Sequence, residues 1–267
     1  LIIIILTLSL FGMNCVGQKV ASPKMDHIFL DQSDSTKNCY TIIYPPIQPW
    51  QGYLFLVPGF GETAENVLLQ TELPQKLAQH GILTIIPTFQ DGTFSFGVDS
   101  LSQQSLINMI KDVNAKHKLK DLKLYVGGFS IGGSCVIKFA EHTTIQPTAV
   151  FAIDPPLDFE RFYHSATRNI RLSKSTEVNQ EDVYMIGRLE KETGGSPKTN
   201  LSAYYKLSPY SFSDTTQTAI KKIIHMPLRI YTEPDIHWWL KERGTDFTKI
   251  NATECSAMIN ELNRLGN

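Results

Sequence analysis

The sequence predicts an α/β fold, a doubly wound and mostly parallel sheet, and three observations carry that prediction. Short apolar runs recur along the chain, helix-period stripes fall between them, and one run ends in a glycine-rich turn leading straight into a helical segment. A chain of 267 residues is long enough to bury the core of one such domain with an insertion.

Taken in order, Gln18 to Lys37 is polar, lacks sustained periodicity and reads as a lead-in segment. Asn38 to Tyr44 (NCYTIIY) reads as a strand stopped by Pro45 and Pro46. Gly52 to Val57 (GYLFLV) reads as a central strand bounded by Pro58-Gly59. Glu65 to Gln79 carries a helical stripe that breaks or restarts near Pro74, and Ile82 to Pro87 (ILTIIP) is the next strand. Ser100 to His117 places Leu101, Leu106, Ile107, Ile110 and Val113 on a helical stripe. Leu122 to Val126 is a strand, and Ser134 to Ala140 lies in the helix beyond the glycines. Thr148 to Ile153 (TAVFAI) is a further strand. The rhythm then breaks: from Leu157 to Ser213 there are helix-like pieces and polar turns but no strong apolar strand. An insertion there would sit above the carboxyl edge of the sheet, where ligands bind, and reads as a lid. Its aromatic residues suit either an acyl pocket or, for most of them, the insertion's own small core. Strand rhythm resumes at Pro227 to Tyr231. Asn251 with Glu254 has the spacing of a capping box for a last helix ending near Gly266.

The stretch Leu122 to Gly133, LKLYVGGFSIGG, carries the chemistry. Strand, glycine-flanked serine and helix come in the order that lets a tight turn hold Ser130 in a strained conformation above the sheet edge. A phosphate-binding loop would want a Lys before a Ser or Thr, which is missing. A dinucleotide fingerprint would place its glycines near the start of a βαβ unit and an acidic residue at the end of the next strand; Asp154 does follow the next strand, so that alternative stays open. On these residues the chain resembles the α/β-hydrolase family, with Gly128-Phe129-Ser130-Ile131-Gly132 as the nucleophile elbow. The resemblance implies an α/β-hydrolase fold with a helical lid inserted after the sixth strand, spanning 157–213. It implies a serine hydrolase, most readily a carboxylic-ester hydrolase, acting on a small-molecule ester with no cofactor and no metal.

A serine hydroxyl needs a base, a group orienting that base and donors for the oxyanion. The resemblance assigns the donors to the amides of Ile131 and Phe60, the latter in Val57-Pro58-Gly59-Phe60-Gly61, where Pro58 replaces the family's frequent His. It places the acid at Asp235, just past the strand Pro227 to Tyr231, with Asp154, Asp158 and Glu233 as rivals. A histidine should follow one strand later. His237 is only two residues beyond Asp235, while His27, His80, His117, His142, His164 and His225 all precede Asp235. The expectation is therefore that the catalytic histidine lies outside this sequence, in a last strand beyond Asn267. The other reading is a non-catalytic ligand-binding protein of the same fold. Peptidase, thioesterase and acyltransferase chemistry share the same machinery.

A net charge of −1 gives no electrostatic case for nucleic acid as partner. The uncharged run Leu1 to Gly12 (LIIIILTLSLFG) is short for a membrane span and reads as the apolar region of a signal peptide ending at Gly17. The expected location is thus secreted or periplasmic, with no stable membrane span after cleavage; lipid attachment at Cys15 is the alternative. Residues 18–267 would then form the hydrolase domain. Cys39, Cys135 and Cys255 would remain, an odd number without metal-site spacing, and the last two suit small core positions.

Overall fold

The computed structural model describes residues 23–31, 33–173 and 178–266, so the leader and Cys15 lie outside the described residues. A seven-stranded sheet runs β1-β2-β4-β3-β5-β6-β7 across its width. Its strands are β1 (Lys24–Phe29), β2 (Cys39–Tyr44), β3 (Gly52–Val57), β4 (Ile82–Thr88), β5 (Lys123–Phe129), β6 (Ala149–Ile153) and β7 (Leu228–Tyr231). β1 and β2 pair antiparallel, as do β2 and β4, and every pairing from β4 through β7 is parallel. All six residues of β3 are buried, as a central strand covered on both faces requires.

The helices between the strands cover the two faces unequally. α1 (Ala64–Gln70) and α2 (Leu73–Gln79) pack on one face, with Val67 and Ala78 against Leu54, Leu56 and Ile86. Pro74 sits in the first turn of α2, where its missing amide hydrogen costs no helical bond, so the expected break is a restart. α3 (Ser100–His117), α4 (Ile131–His142) and α9 (Ala252–Leu265) pack on the other face in the largest apolar cluster, which includes Cys135 and Cys255. Between β6 and β7 come α5 (Phe159–Leu172), α6 (Gln180–Thr193) and α7 (Pro197–Leu207), then a 3₁₀ turn at Ile220–Ile223. Phe159, Met185, Leu189 and Tyr204 of the insertion cluster with Phe96, Val98 and Ile131 of the sheet domain. α8 (Ile236–Arg243) follows β7.

Two expectations are corrected. The polar lead-in contains β1, an edge strand whose outer residues are solvated, so its weak apolar alternation hid it. Asn251 precedes α9 but makes no side-chain cap; its amide instead donates to Asp154 O at 2.9 Å and Asp154 Oδ2 at 3.2 Å. Glu254, the other half of the expected box, is 1% exposed and ion-paired with Arg161 from α5. Tertiary partners replaced a local pattern at both residues.

Candidate active site

The turn from β5 into α4 is forced by close backbone approach. A Cβ on Gly128 would lie 2.2 Å from Gly132 O, and one on Gly132 would lie 2.3 Å from Pro58 O and 2.4 Å from Val57 O. Only glycine lets α4 start directly against the ends of β5 and β3. Between those glycines Ser130 adopts φ 48°, ψ −123°, a region that a residue with a Cβ rarely enters. Its amide donates to Ile153 O at 2.8 Å, and its carbonyl accepts from Gly133 N at 2.8 Å. The side chain is exposed and free of hydrogen bonds among the described residues.

Ser130 opens onto a cleft of about 230 Å³. Its apolar walls are Phe60, Ile131, Pro156, Phe162, Met185, Trp239 and Ile250, and its polar ones Asp154, Glu181, Thr245, Lys249 and Asn251. Phe60 and Ile131 thus stand at the same cleft as the serine. Neither amide meets an acceptor among the described residues, so both donors remain open. Ile131 is the first residue of α4, where the helix dipole adds positive potential. The Phe60 loop is braced from behind. Gly59 N donates to Glu62 Oε2 at 2.9 Å, Glu62 N to Gly59 O at 3.2 Å, and Gly61 N to Thr93 O at 2.9 Å.

The candidate carboxylates occupy different settings. Asp154, at the end of β6, has φ 48° and lines the cleft. Both its oxygens are occupied: Thr232 Oγ1 donates to Oδ1 at 2.8 Å and Asn251 Nδ2 to Oδ2 at 3.2 Å. Burial raises its pKa, against the pull of those two donors. Asp235 is exposed at the N-terminus of α8, outside the cleft lining, and its Oδ1 accepts from the amides of His237 at 3.0 Å and Trp238 at 3.2 Å. Its Oδ2 accepts nothing among the described residues. Asp158, 2% exposed, caps α5 through Arg161 N and also accepts from Phe212 N. Glu233 accepts from Asp235 N.

No histidine lines the cleft among the described residues. His237 is exposed on α8, His164 lies in a separate groove with Arg161 and Arg168, and His117 packs against Tyr44 and Trp50. The cleft residues that sequence reading did not single out, Met185, Trp239, Thr245 and Lys249, come from the insertion and from the segment around α8. No motif marks them. No group of three or more metal-ligating side chains occurs among the described residues.

No family model matches the sequence, and no curated protein matches it. Solved structures do. The chain is similar to FphF, a fluorophosphonate-binding serine hydrolase of Staphylococcus aureus solved with substrate bound, with 15% identity, 92% of this chain and 88% of that one covered, and TM-score 0.54. It is similar to a lipase in its open form, with 12% identity, coverage of 91% and 88%, and TM-score 0.53. MPT51 of Mycobacterium tuberculosis matches with 10% identity, coverage of 86% and 81%, and TM-score 0.55. With the sheet order and the turn at Ser130, these matches define the class: the chain has the α/β-hydrolase fold.

Proposed function

We propose that the protein is a serine hydrolase of carboxylic esters in which Ser130 attacks the acyl carbon. The observation that carries this reading is Ser130 itself, held at φ 48° between Gly128 and Gly132, with the open amides of Phe60 and Ile131 at the same cleft. Strain of this kind costs about 1–3 kcal/mol and persists where the surroundings over-determine it. As the tetrahedral intermediate forms, negative charge moves onto the carbonyl oxygen, where the two amides would hold it; one such donor is commonly worth about 3 kcal/mol of barrier. Asp235 is the carboxylate this reading assigns to orient the base. Two amides fix its Oδ1 while its Oδ2 accepts nothing among the described residues and can take an imidazole N–H; Asp154, with one side-chain donor on each oxygen, is the rival. The base is assigned to a histidine outside this sequence, since none lines the cleft among the described residues. Insertion 157–213 is read as a lid, because Phe162, Glu181 and Met185 form part of the cleft wall.

The test is fluorophosphonate labelling of the whole gene product beside its Ser130→Ala variant. Labelling abolished by the substitution is the expected result, and labelling that survives it refutes the assignment. A second reading, a non-catalytic binding protein of this fold, is favoured by the lack of a cleft histidine among the described residues. A whole gene product that ignores the probe yet binds ester analogues in the cleft would establish it. A panel of matched esters and amides separates esterase from peptidase chemistry. Export is part of the proposal, and N-terminal sequencing of protein recovered outside the cytoplasm should begin at Gln18.

A further inference from the structure

Beside the Ser130 cleft, three aromatic side chains from three separate elements meet with much of their surface still open. Phe60 comes from the loop after β3, Phe94 from the loop after β4 and Tyr184 from α6. The Phe60 ring centroid is 5.4 Å from that of Phe94 and 5.2 Å from that of Tyr184, and the last two lie 6.3 Å apart. Phe94 is 55% exposed and Tyr184 42%, so the cluster is not a finished core. Leaving that much aromatic surface in water forgoes burial free energy. Phe60 belongs to both features, since it also lines the cleft that holds Ser130.

We propose that Phe94 and Tyr184, with Phe60, form an aryl-binding shelf at the mouth of the cleft, and that the substrates are esters carrying a flat aromatic ring. This deepens, and rests on, the reading of Ser130 as nucleophile. Phe60 belongs to both the shelf and the Ser130 cleft, so a ring stacked on the shelf lies next to the cleft in which an attached ester would meet the serine. The cleft continues in the same chemistry: Phe162, Met185 and Trp239 offer ring faces and a thioether. Trp239 is fixed as a wall by its indole N–H, which donates to Glu233 O at 2.8 Å.

Aromatic platforms also hold sugars, but a sugar needs hydrogen-bonding groups beside the stack. Arg188, one helical turn beyond Tyr184, pairs with Glu192 at 2.9 Å, Asp91 at 3.3 Å and Asp99 at 3.7 Å. With that cation engaged, the shelf offers a ligand ring faces, ring edges and the Tyr184 hydroxyl, a predominantly aromatic surface that fits an aryl group better than a sugar. The shelf is also held in place: Gly61 N donates to Thr93 O at 2.9 Å and ties the Phe94 loop to the Phe60 loop.

The test is binding to Ser130→Ala protein, which separates affinity from turnover, using two ketone probes with equal carbon counts: 4-phenyl-2-butanone and 2-decanone. Titration followed by tryptophan fluorescence or calorimetry should show the aryl ketone binding about tenfold tighter, although the linear ketone is the more hydrophobic. Phe94→Ala and Tyr184→Ala should each weaken the aryl ketone about fivefold and leave 2-decanone unchanged, and Phe94→Leu, which keeps the bulk, should behave like Phe94→Ala. Unchanged circular dichroism melts guard against misfolding. Equal affinity for the two ketones, or loss of both together in the variants, overturns the proposal. If the whole gene product resists fluorophosphonate while the aryl preference holds, the nucleophile reading fails and the shelf stands. If Ser130 labels and the preference is missing, the reverse is true.

Discussion

Gly132→Ala tests whether the geometry of the elbow is set by backbone contact. The added Cβ would lie 2.3 Å from Pro58 O and 2.4 Å from Val57 O. Carbon–oxygen contacts are comfortable near about 3.3 Å, so α4 and the β3 loop must part by about 1 Å. Neither atom belongs to a flexible side chain; both are carbonyls at the end of a fully buried strand. Alanine in a helix gains about 1 kcal/mol over glycine, but overpacking against a rigid neighbour costs about 1–3 kcal/mol or more. The net expectation is a loss of about 1–2 kcal/mol in urea unfolding. The functional effect should be larger, because the parting separates the Phe60 and Ile131 amides, and a misplacement of about 1 Å can cost about 100-fold in rate. Gly187→Ala is the control. Its Cβ meets nothing within 4 Å in the interior of α6, so it should stabilise by about 0.5–1 kcal/mol with unchanged labelling. A Gly132→Ala protein as stable as wild type, labelling at the same rate, would refute the reasoning.

Three further outcomes are expected. Ser130→Gly should abolish fluorophosphonate labelling while raising stability by about 1 kcal/mol, since it relieves the φ 48° strain and removes a side chain without hydrogen bonds; a loss of stability would argue against strain there. Asp235→Asn should cut turnover by about 10⁴-fold with an unchanged melt, because Asn caps a helix as well as Asp, whereas Asp154→Asn should cost about 1–3 kcal/mol of stability by turning a donor toward Asn251 or Thr232; the opposite pattern would exchange their roles. Burial pushes Glu141 and Glu254 up to about 7, against Lys138 and Arg161 respectively, from an unfolded value of 4.5. Their protonated forms favour the folded state, so this stability is full below 4.5 and is lost as pH rises through about 7. His142, held down to about 4 by burial, acts in the opposite sense below 6.5. The clean window therefore opens at 6.5, and from there to about 7.5 unfolding free energy should fall by about 1 kcal/mol, with Glu141→Gln roughly halving the slope; a flat or rising profile in urea titrations would contradict it.

Much of this architecture is legible because parallel strands buried on both faces leave uninterrupted apolar runs. GYLFLV became β3 with the same bounds, and Ser100 to His117 became α3 likewise. The elbow is legible because its demand for glycine is local, imposed by two close approaches within a few residues of Ser130. What escaped depends on distance along the chain. β1 is paired on one edge only and has little apolar signal. Asn251 and Glu254 have capping-box spacing, yet each found a stronger partner about a hundred residues away, in Asp154 and Arg161. Cleft walls such as Trp239, Lys249 and Met185 follow from how the insertion and the α8 segment fold over the sheet edge, and no spacing rule encodes that.

Ser130 and Asp154 share one physical origin. Each is the first residue past the end of a parallel strand, each has φ 48°, and each gives its amide to the neighbouring strand's last carbonyl: Ser130 to Ile153 and Asp154 to Tyr231. The ladder thus continues one bond beyond β5 and β6 while the chain turns sharply out of the sheet. A left-handed backbone is what lets the amide stay paired as the chain leaves. The two residues differ in what holds their side chains. Asp154 is tied by Thr232 and Asn251, joining the end of β6 to the segment after β7 and to the start of α9. The Ser130 side chain has no hydrogen bond among the described residues. One strained position is spent on joining three elements, and the other leaves a hydroxyl free at the cleft, the condition a nucleophile requires.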